Sequence, residues 1–377
     1  MLSLAEQYPG PFATLLLADL GAEVILVERP EGGDPARRFP EFFAALNRNK
    51  RSVSLDLKHP GGVRAMRRLA RSADVLLEGF RPGVVGRLGL DHRLLRKDNP
   101  RLVYVSISGF GQDGPYRDRP AHDITYQAMA GLVEDGVGTE KPPYLSLADL
   151  TGGLFGAIAA LTGLSGRGGS GLGGYYDVSM FDSLLSLLIS RLVPIANGGT
   201  SGEVGLDPAY GIFPTADGKL LSLSVSFEDH FWRRLCVAVG LVNLVDLDAA
   251  ERVARRDELR VRLAQVIGLR TLEDWSAELG EAGVPFGPVQ TPSEILSASH
   301  VAARELMSRV PGGDPRLYMR QPLIIDGTGP GPARGVPELG EATKEILVHA
   351  GFSDAEVAAL LRQGAALAVE TGAPSSA

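Results

Sequence analysis

The amino-acid sequence predicts an α/β fold in which helices cover both faces of a parallel sheet. In the first 110 residues, short apolar runs of strand character alternate with runs whose apolar residues recur at helical spacing. Such alternation is typical of parallel strands that are joined by helices. At 377 residues the chain exceeds the usual length of one domain, so two domains are expected.

The individual elements follow from local patterns. Strands are predicted at 22–28, 52–57, 74–78 and 101–108, and helices at 11–20 and 62–72. The next segments are predicted as a helix of small residues at 153–164, a glycine-rich turn at 167–174 and a long apolar helix at 178–195. A hairpin is predicted at 212–225, followed by helices at 231–239, 249–267 and 272–282.

The order of these elements predicts a domain that is interrupted by another. Residues 1–199 form the first part of a large α/β domain, and residues 200–310 form a smaller α+β domain. Residues 311–377 return to the large domain, because strand patterns reappear near 320–326 and a helix begins with a capping box at Ser353.

Composition narrows the classes of function. The net charge of -7 argues against a nucleic-acid binder, although a local basic patch for a phosphorylated ligand remains compatible with it. Cys236 is the single cysteine, so no intramolecular disulfide and no cysteine-based metal site can form, as expected for a cytoplasmic protein. No signal-like start, membrane-spanning apolar run or metal-ligand spacing is seen, so no membrane partner and no metal are expected.

Two side chains stand out as candidate catalytic groups. Asp149 lies 27 residues after His122, in a chain that has only six histidines. Because leucine and alanine flank Asp149, its carboxyl group is expected to be partly desolvated, which raises a pKa and favours action as a nucleophile or base. The alternative is structural: Asp149 caps a helix that begins at Thr151 or Gly152.

A third pattern is predicted to carry no function. The segment 109–114 has the spelling G-x-G-x-x-G and follows a strand. A dinucleotide site needs an apolar helix directly after it, whereas Pro115, Tyr116, Arg117 and Asp118 follow here. A plain loop is therefore predicted.

Short motifs along nearly the whole chain carry a family resemblance. They are YPGP at 8–11, LADLGAEVI at 17–25, NRNKRS at 47–52, LDLK at 55–58, EGFRPG at 78–83, RLG at 87–89, NPRL at 99–102, SGFG at 108–111, PAHDITY at 120–126, LADLTGG at 147–153, YDVSM at 176–180 and TADG at 215–218. In these motifs the chain resembles the class III CoA-transferases, a family that also contains the α-methylacyl-CoA racemases.

The resemblance implies a particular architecture. Its large domain is a doubly wound α/β unit built from both chain ends, with the small domain between them and two subunits interlocked as a homodimer. Members of the family also have about ten more residues ahead of the position of Leu2, which carry most of the first strand. The start of this chain is therefore expected to be truncated or misassigned, with a first strand of reduced stability.

The resemblance also implies a site for coenzyme A, which is bound as part of a thioester. The matching binding positions are Arg29, Leu55, Lys58, Gly79, Phe80, Arg87, Leu88 and Tyr126. An acidic protein needs local cations for the phosphates of coenzyme A. Arg87 lies in a glycine-rich turn after an apolar strand, where ligands of α/β folds bind, so a ligand role is favoured over a surface charge.

Two reactions are open, and the predicted one is CoA transfer. In the transferases, the aspartate matching Asp149 attacks an acyl-CoA thioester to form an aspartyl anhydride, and the CoA passes to a carboxylic acid. In the racemases, that aspartate and a histidine matching His122 act as two bases on opposite faces of the α-carbon, and a glutamate matching Glu228 supports the histidine. A non-catalytic CoA-binding module is disfavoured, because all three residues are present.

The two halves of the chain favour different reactions, one racemisation and the other CoA transfer. Formyl-CoA transferase has a tyrosine at the position of His122 and a glycine-rich run in the small domain, for which only Gly198, Gly199, Gly202 and Gly205 are available here. These features favour the racemase. The second half, with YGIFP at 210–214 and GVPFGPV at 283–289, is more similar to the transferases.

Overall fold

The computed structural model describes residues 1–133, 145–200 and 207–369. Its strands are β1 Leu2–Ser3, β2 Val24–Glu28, β3 Lys50–Leu55, β4 Val75–Glu78, β5 Val103–Ser108, β6 Tyr175–Ser179, β7 Tyr210–Pro214, β8 Leu220–Ser224, β9 Phe286–Pro288, β10 Met307–Ser308, β11 Tyr318–Met319 and β12 Ala366–Leu367.

The helices alternate with these strands. They are α1 Pro9–Asp19, α2 Pro40–Asn47, α3 Pro60–Ala70, α4 Val84–Arg87, α5 His92–Asp98, α6 Asp123–Met129, α7 Leu147–Ser170, α8 Met180–Ser186, α9 Ile189–Ala196, α10 Asp229–Ala238, α11 Ala249–Ala254, α12 Arg256–Ile267, α13 Leu272–Glu281, α14 Pro292–Leu296, α15 Ser299–Ala303, α16 Thr343–His349 and α17 Asp354–Arg362.

The chain divides into two compact units. Unit 1 comprises Met1–Ile189 together with Ala303–Ala377, and unit 2 comprises Ser190–Ala302. The domains predicted from the sequence, 1–199 with 311–377 and 200–310, follow the same order along the chain.

Unit 1 is built on a seven-stranded sheet in the order β12-β3-β2-β1-β4-β5-β6. All neighbouring strands are parallel except β12, which pairs with β3 in the antiparallel direction. The chain starts at β1, moves outward to β3, and then returns to the other side of β1 at β4. The predicted α/β class is therefore confirmed, and the strand order reverses between β1 and β4.

Helices pack on both faces of this sheet. Leu76 and Tyr104 belong to a buried cluster with residues of α3, α16 and α17, whereas Leu77 and Val105 belong to a cluster with α1, α7 and α8. Alternate residues of β4 and β5 thus enter opposite cores, as the two-residue period of a strand requires. The two residues of β1 pair with β2 and with β4 in the middle of the sheet.

Two predictions in unit 1 are wrong. The turn predicted at 167–174 is partly helical, because the correctly predicted helix at 153–164 belongs to a longer helix, α7, which continues to Ser170. Its glycines permit a close approach, since a Cβ atom on Gly156 would lie 2.6 Å from the Cδ1 atom of Ile107. The apolar helix predicted at 178–195 is instead the end of β6 followed by α8 and α9. The hydroxyl of Ser179 accepts a hydrogen bond from the Asp182 amide and so starts α8 after the strand.

Helix α7 is also long and apolar enough to cross a membrane, by length and composition. Half of its most apolar stretch is buried within the protein. Its packing against α1, α8 and β5 accounts for the buried half.

Unit 2 combines a small antiparallel sheet with helices. Strands β7 and β8 form the predicted hairpin, and β9 pairs with β8. Two buried tryptophans, Trp232 and Trp275, lie at the centre of the core. The helix predicted at 249–267 is in fact two helices, α11 and α12, because the backbone leaves the helical region at Arg255.

Candidate active site

A cavity of about 540 Å³ opens at the carboxyl ends of β1, β4 and β5. It is lined by residues that follow these strands, among them Glu6, Gly79 and Gly109. This is the place where the strand order reverses, and open α/β sheets bind their ligands there. A larger cavity of about 800 Å³ lies at the opposite end of the strands, where they begin, beside Met1, Glu23 and Asp74. The smaller cavity is therefore the candidate site.

Asp149 lies in the first turn of α7 and lines this cavity. Burial and, to a lesser extent, the nearby carboxylate of Asp123 together raise the pKa of its carboxyl group to about 7. The expected desolvation is therefore present. The capping alternative is wrong, because α7 begins at Leu147 and Asp149 lies inside it.

Asp123 holds the start of α7 in place. Its Oδ1 atom accepts hydrogen bonds from the amides of Ala148, at 2.7 Å, and Asp149, at 3.2 Å. The side-chain amide of Gln127 donates both to Oδ2 of Asp123 and to the carbonyl of Leu145. Asp123 thereby satisfies two amides that a helix start leaves open. Sequence reasoning missed this residue, although it directly follows His122.

His122 lines the same cavity as Asp149. It occupies the position before α6, is exposed, and makes no capping hydrogen bond there. The packing of α6 on α7 brings these two regions of the sequence together. The imidazole is consequently available to a bound substrate.

The glycine-rich segment after β5 is a loop, as predicted. A Cβ atom on Gly109 would lie only 2.2 Å from the hydroxyl oxygen of Tyr126. Glycine at this position therefore lets the buried Tyr126 ring approach the end of β5. Burial raises the pKa of the Tyr126 hydroxyl, and the negative charges of Asp149 and Asp123 act in the same direction.

The cavity receives several arginines. A Cβ atom on Gly83 would lie 3.4 Å from Nη1 of Arg87 and 3.6 Å from Nη2 of Arg117, so these two guanidinium groups converge. Arg81 and Arg119 also line the cavity. Converging guanidinium groups suit a phosphorylated ligand. Of these four, only Arg87 was singled out from the sequence, because the other three belong to loops whose arrangement depends on the fold.

The predicted coenzyme A positions fall into two groups. Gly79, Phe80, Arg87 and Tyr126 line the cavity. The remaining positions, Arg29, Leu55, Lys58 and Leu88, do not.

The four residues of the second group lie in surroundings other than the cavity. Arg29 is exposed and donates to the carbonyl of Gly33, and Lys58 is exposed. The side chain of Leu55 is buried in the core, so only its backbone could meet a ligand. Leu88 packs at the edge of the same core.

Glu228 belongs to unit 2, where it precedes α10. It is exposed, and its carboxylate accepts a hydrogen bond from the amide of Ser226 at 3.2 Å. Its role beside a histidine stays a prediction. Of the glycines considered for a covering loop, Gly202 and Gly205 lie outside the described residues. Among the described residues, no group of three metal-ligating side chains is close enough to hold an ion.

Comparison with known proteins identifies the family of this chain. The family model for CoA-transferase family III matches residues 1–343. Acetyl-CoA:oxalate CoA-transferase of Acetobacter aceti is 33% identical, covering 90% of this chain and 92% of that protein. Succinate–glutarate CoA-transferase of Agrobacterium fabrum is 33% identical, covering 93% and 94%.

A solved structure extends the similarity to the fold. The crystal structure of a CaiB/BaiF family protein from Brucella suis has a TM-score of 0.80 and 29% identity, covering 93% of this chain and 97% of that chain. The chain therefore belongs to CoA-transferase family III and is an enzyme of that class.

Proposed function

We propose that the protein transfers coenzyme A from an acyl-CoA to a free carboxylic acid through an aspartyl anhydride on Asp149. The observation that carries this proposal is the half-buried Asp149 carboxyl group, which faces a cavity lined with arginines. No hydrogen bond to this carboxylate is found in the described parts of the chain, so its oxygens are free to react. The names of the relatives support transfer as the reaction class.

The proposed reaction proceeds by acyl exchange on one carboxylate. An oxygen of ionised Asp149 attacks the thioester carbon, the carbon–sulfur bond breaks, and CoA thiolate leaves. The thiolate then attacks the Asp149 carbonyl and releases the first acid. The carboxylate of the second acid attacks this aspartyl thioester, which forms a second aspartyl anhydride and frees CoA thiolate. The thiolate then attacks the acyl carbon that came from the second acid, so the new acyl-CoA leaves and the Asp149 carboxylate is restored. No water or redox partner is consumed.

The surroundings of Asp149 suit this role. Asp123 takes the hydrogen bonds of the first α7 amides, so these amides do not stabilise the charge on Asp149. A carboxylate that lacks such stabilisation is a stronger nucleophile. We assign the phosphates of coenzyme A to the converging Arg87 and Arg117, where charge-assisted hydrogen bonds are the strongest available.

We propose a short dicarboxylic acid as the acceptor. Two relatives are named for oxalate and for succinate and glutarate. Arg81 and Arg119 line the same cavity and offer a partner for a second carboxylate. An assay with these acids against monocarboxylates of equal length tests the assignment.

Racemisation of a 2-methylacyl-CoA is the second candidate. The observation that favours it is the presence of His122 and Asp149 in one cavity, as a two-base reaction needs. Incubation in deuterium oxide separates the two reactions. Exchange of the α-proton at a catalytic rate, with no CoA transfer to any acid tested, would establish racemisation instead.

We also propose that two chains form the interlocked homodimer that the family resemblance implies. Leu154, Ile158 and Leu161 form an exposed apolar stripe along α7, with exposed fractions of 45%, 53% and 47%. Residues at this spacing lie on one face of a helix. A contiguous apolar stripe on a soluble protein marks a surface for another protein.

Replacing Asp149 with asparagine is expected to lower the transfer rate at least a hundredfold, because the nucleophile is lost. Hydroxylamine should trap an acylated Asp149 in the wild type with acyl-CoA, and no adduct should form in Asp149→Asn. Mass spectrometry of the peptide that contains residue 149 gives the readout. The control is Asp113→Asn, which removes an exposed carboxylate outside the cavity. Retention of more than about a tenth of the rate in Asp149→Asn contradicts the proposal.

The transfer rate should rise with pH and level off above about pH 7, where the Asp149 carboxyl ionises. The protonated form, which prevails at lower pH, cannot attack. Asp123→Asn keeps an oxygen for the α7 amides but removes the like charge, so the pH midpoint of kcat should move to a lower value. An unchanged midpoint would show that Asp123 does not act on Asp149 electrostatically.

Arg87→Ala should weaken the binding of coenzyme A about tenfold to a hundredfold, the loss expected for a charge-assisted hydrogen bond to phosphate. Calorimetric titration measures the affinity, and dephospho-CoA identifies the phosphate concerned. Arg93→Ala is the matched control, because Arg93 is exposed and does not line the cavity. Equal affinities of Arg87→Ala and wild type would remove Arg87 from the site.

Light scattering should give the wild type twice the 40.0 kDa mass of one chain. Ile158→Glu places a charge in the apolar stripe of α7 and should shift the mass toward that of one chain. Leu269→Glu is the control, since Leu269 is 76% exposed in unit 2. A wild type with the mass of one chain contradicts the homodimer.

A further inference from the structure

A second buried carboxyl group lies behind the candidate site. Glu78 is the last residue of β4 and is only 1% exposed. Its Oε2 atom accepts a hydrogen bond from the amide of Phe80 at 2.8 Å, and Oε1 accepts one from the hydroxyl of Ser106 on β5. The chemistry assigned to Asp149 does not involve Glu78.

The carboxyl group of Glu78 has no cationic partner among the described residues. In the described parts of the chain it forms no ion pair, and the groups that act on it from β5 and β6 are Tyr104, Tyr175 and Asp177. Burial is the main reason why the pKa of Glu78 is raised to about 7; the charge of Asp177 acts in the same direction, and the hydrogen bonds from the Ser106 hydroxyl and the Phe80 amide act against it. An ionised carboxylate in such surroundings costs stability. A role in ligand binding would account for a carboxylate at this position despite that cost.

The position of Glu78 connects it with the ligand cavity. The residues that follow it, Gly79, Phe80 and Arg81, all line the cavity. The hydrogen bond from the Phe80 amide turns this segment back onto β4 directly after the strand ends. A Cβ atom on Gly79 would lie 3.2 Å from the Cβ atom of Ala5, which follows β1, so the segment is also packed closely against that residue.

We propose that Glu78 is a positioning residue for coenzyme A thioesters, whose ionised carboxylate fixes the segment 79–81 for binding and whose protonation weakens that binding. The inference rests on the proposed function, since it assumes that the cavity holds coenzyme A. An ionised carboxylate accepts both hydrogen bonds fully. A protonated one has a single good acceptor oxygen, and hydrogen bonds to an ionised acceptor are about twice as strong as neutral ones.

The test compares coenzyme A binding in Asp149→Asn with binding in Asp149→Asn/Glu78→Gln. The shared substitution removes the titration of Asp149, and the phosphate titration of coenzyme A itself is common to both proteins. Calorimetry from pH 5.5 to 8.5 gives the ratio of the two dissociation constants. We expect Glu78→Gln to bind about fivefold to tenfold more weakly at the alkaline end and equally well at the acid end.

If Glu78→Gln does not fold, Ser106→Ala, again combined with Asp149→Asn, provides a second test. Loss of the hydroxyl removes a hydrogen bond that favours the ionised form, so the pH at which affinity changes should rise. A purely structural role would not move this midpoint. The unfolding temperature of Glu78→Gln at pH 8 should equal or exceed that of its parent, because a desolvated charge is absent.

The possible failures are distinguishable. An affinity ratio that is independent of pH, or a midpoint that Ser106→Ala leaves unchanged, overturns the inference while the proposed function stands. Absence of coenzyme A binding by Asp149→Asn at every pH overturns the proposed function, and this inference falls with it.

Discussion

The reversal of strand order between β1 and β4 is the constraint on which the candidate site depends. The chain leaves β1 toward β2 on one side and returns to β4 on the other, so the connections after these two neighbouring strands diverge. Residues after β1, β4 and β5 can therefore surround one cavity. The two residues of β1 pair with both β2 and β4 at the centre of the sheet.

A second constraint is the start of α7. The carboxylates of Asp123 and Asp149 both lie at this helix start. The first backbone amides of a helix lack intrahelical acceptors, and its start carries a partial positive charge. Asp123 takes two of these amides, and Asp149 lies within the first turn without a hydrogen-bond donor in the described chain. The helix start therefore stabilises the charge on Asp123, and Asp123 in turn raises the pKa of Asp149. The start of α7 thus gives its two carboxyl groups different roles: Asp123 accepts the helix amides, and Asp149 is left as the proposed nucleophile.

The sequence predicts those parts of the molecule that local patterns determine. The strands β2 to β5 and the hairpin of β7 with β8 follow from apolar runs and turn residues. The sequence predicts only 153–164 of helix α7, because Gly166, Gly168 and Gly169 near its end disfavour helices in general. Its start at Leu147 is stabilised by Asp123, which belongs to another segment. Asp123 and Arg117 could not be predicted as site residues, because their roles arise only when α6 packs on α7 and when two loops meet at Gly83.

Activity and stability oppose each other in this fold. The folded-state pKa values of Asp149 and Glu78 are both about 7, above the ordinary values of 3.8 and 4.5. Between these limits the folded chain holds more protons than the unfolded chain, so the free energy of unfolding decreases as pH rises toward about 7 and then levels off. A nucleophilic Asp149 and an accepting Glu78 both require the ionised form. The proposed reaction is therefore available only at pH values where these two carboxyl groups have already lowered the stability of the fold.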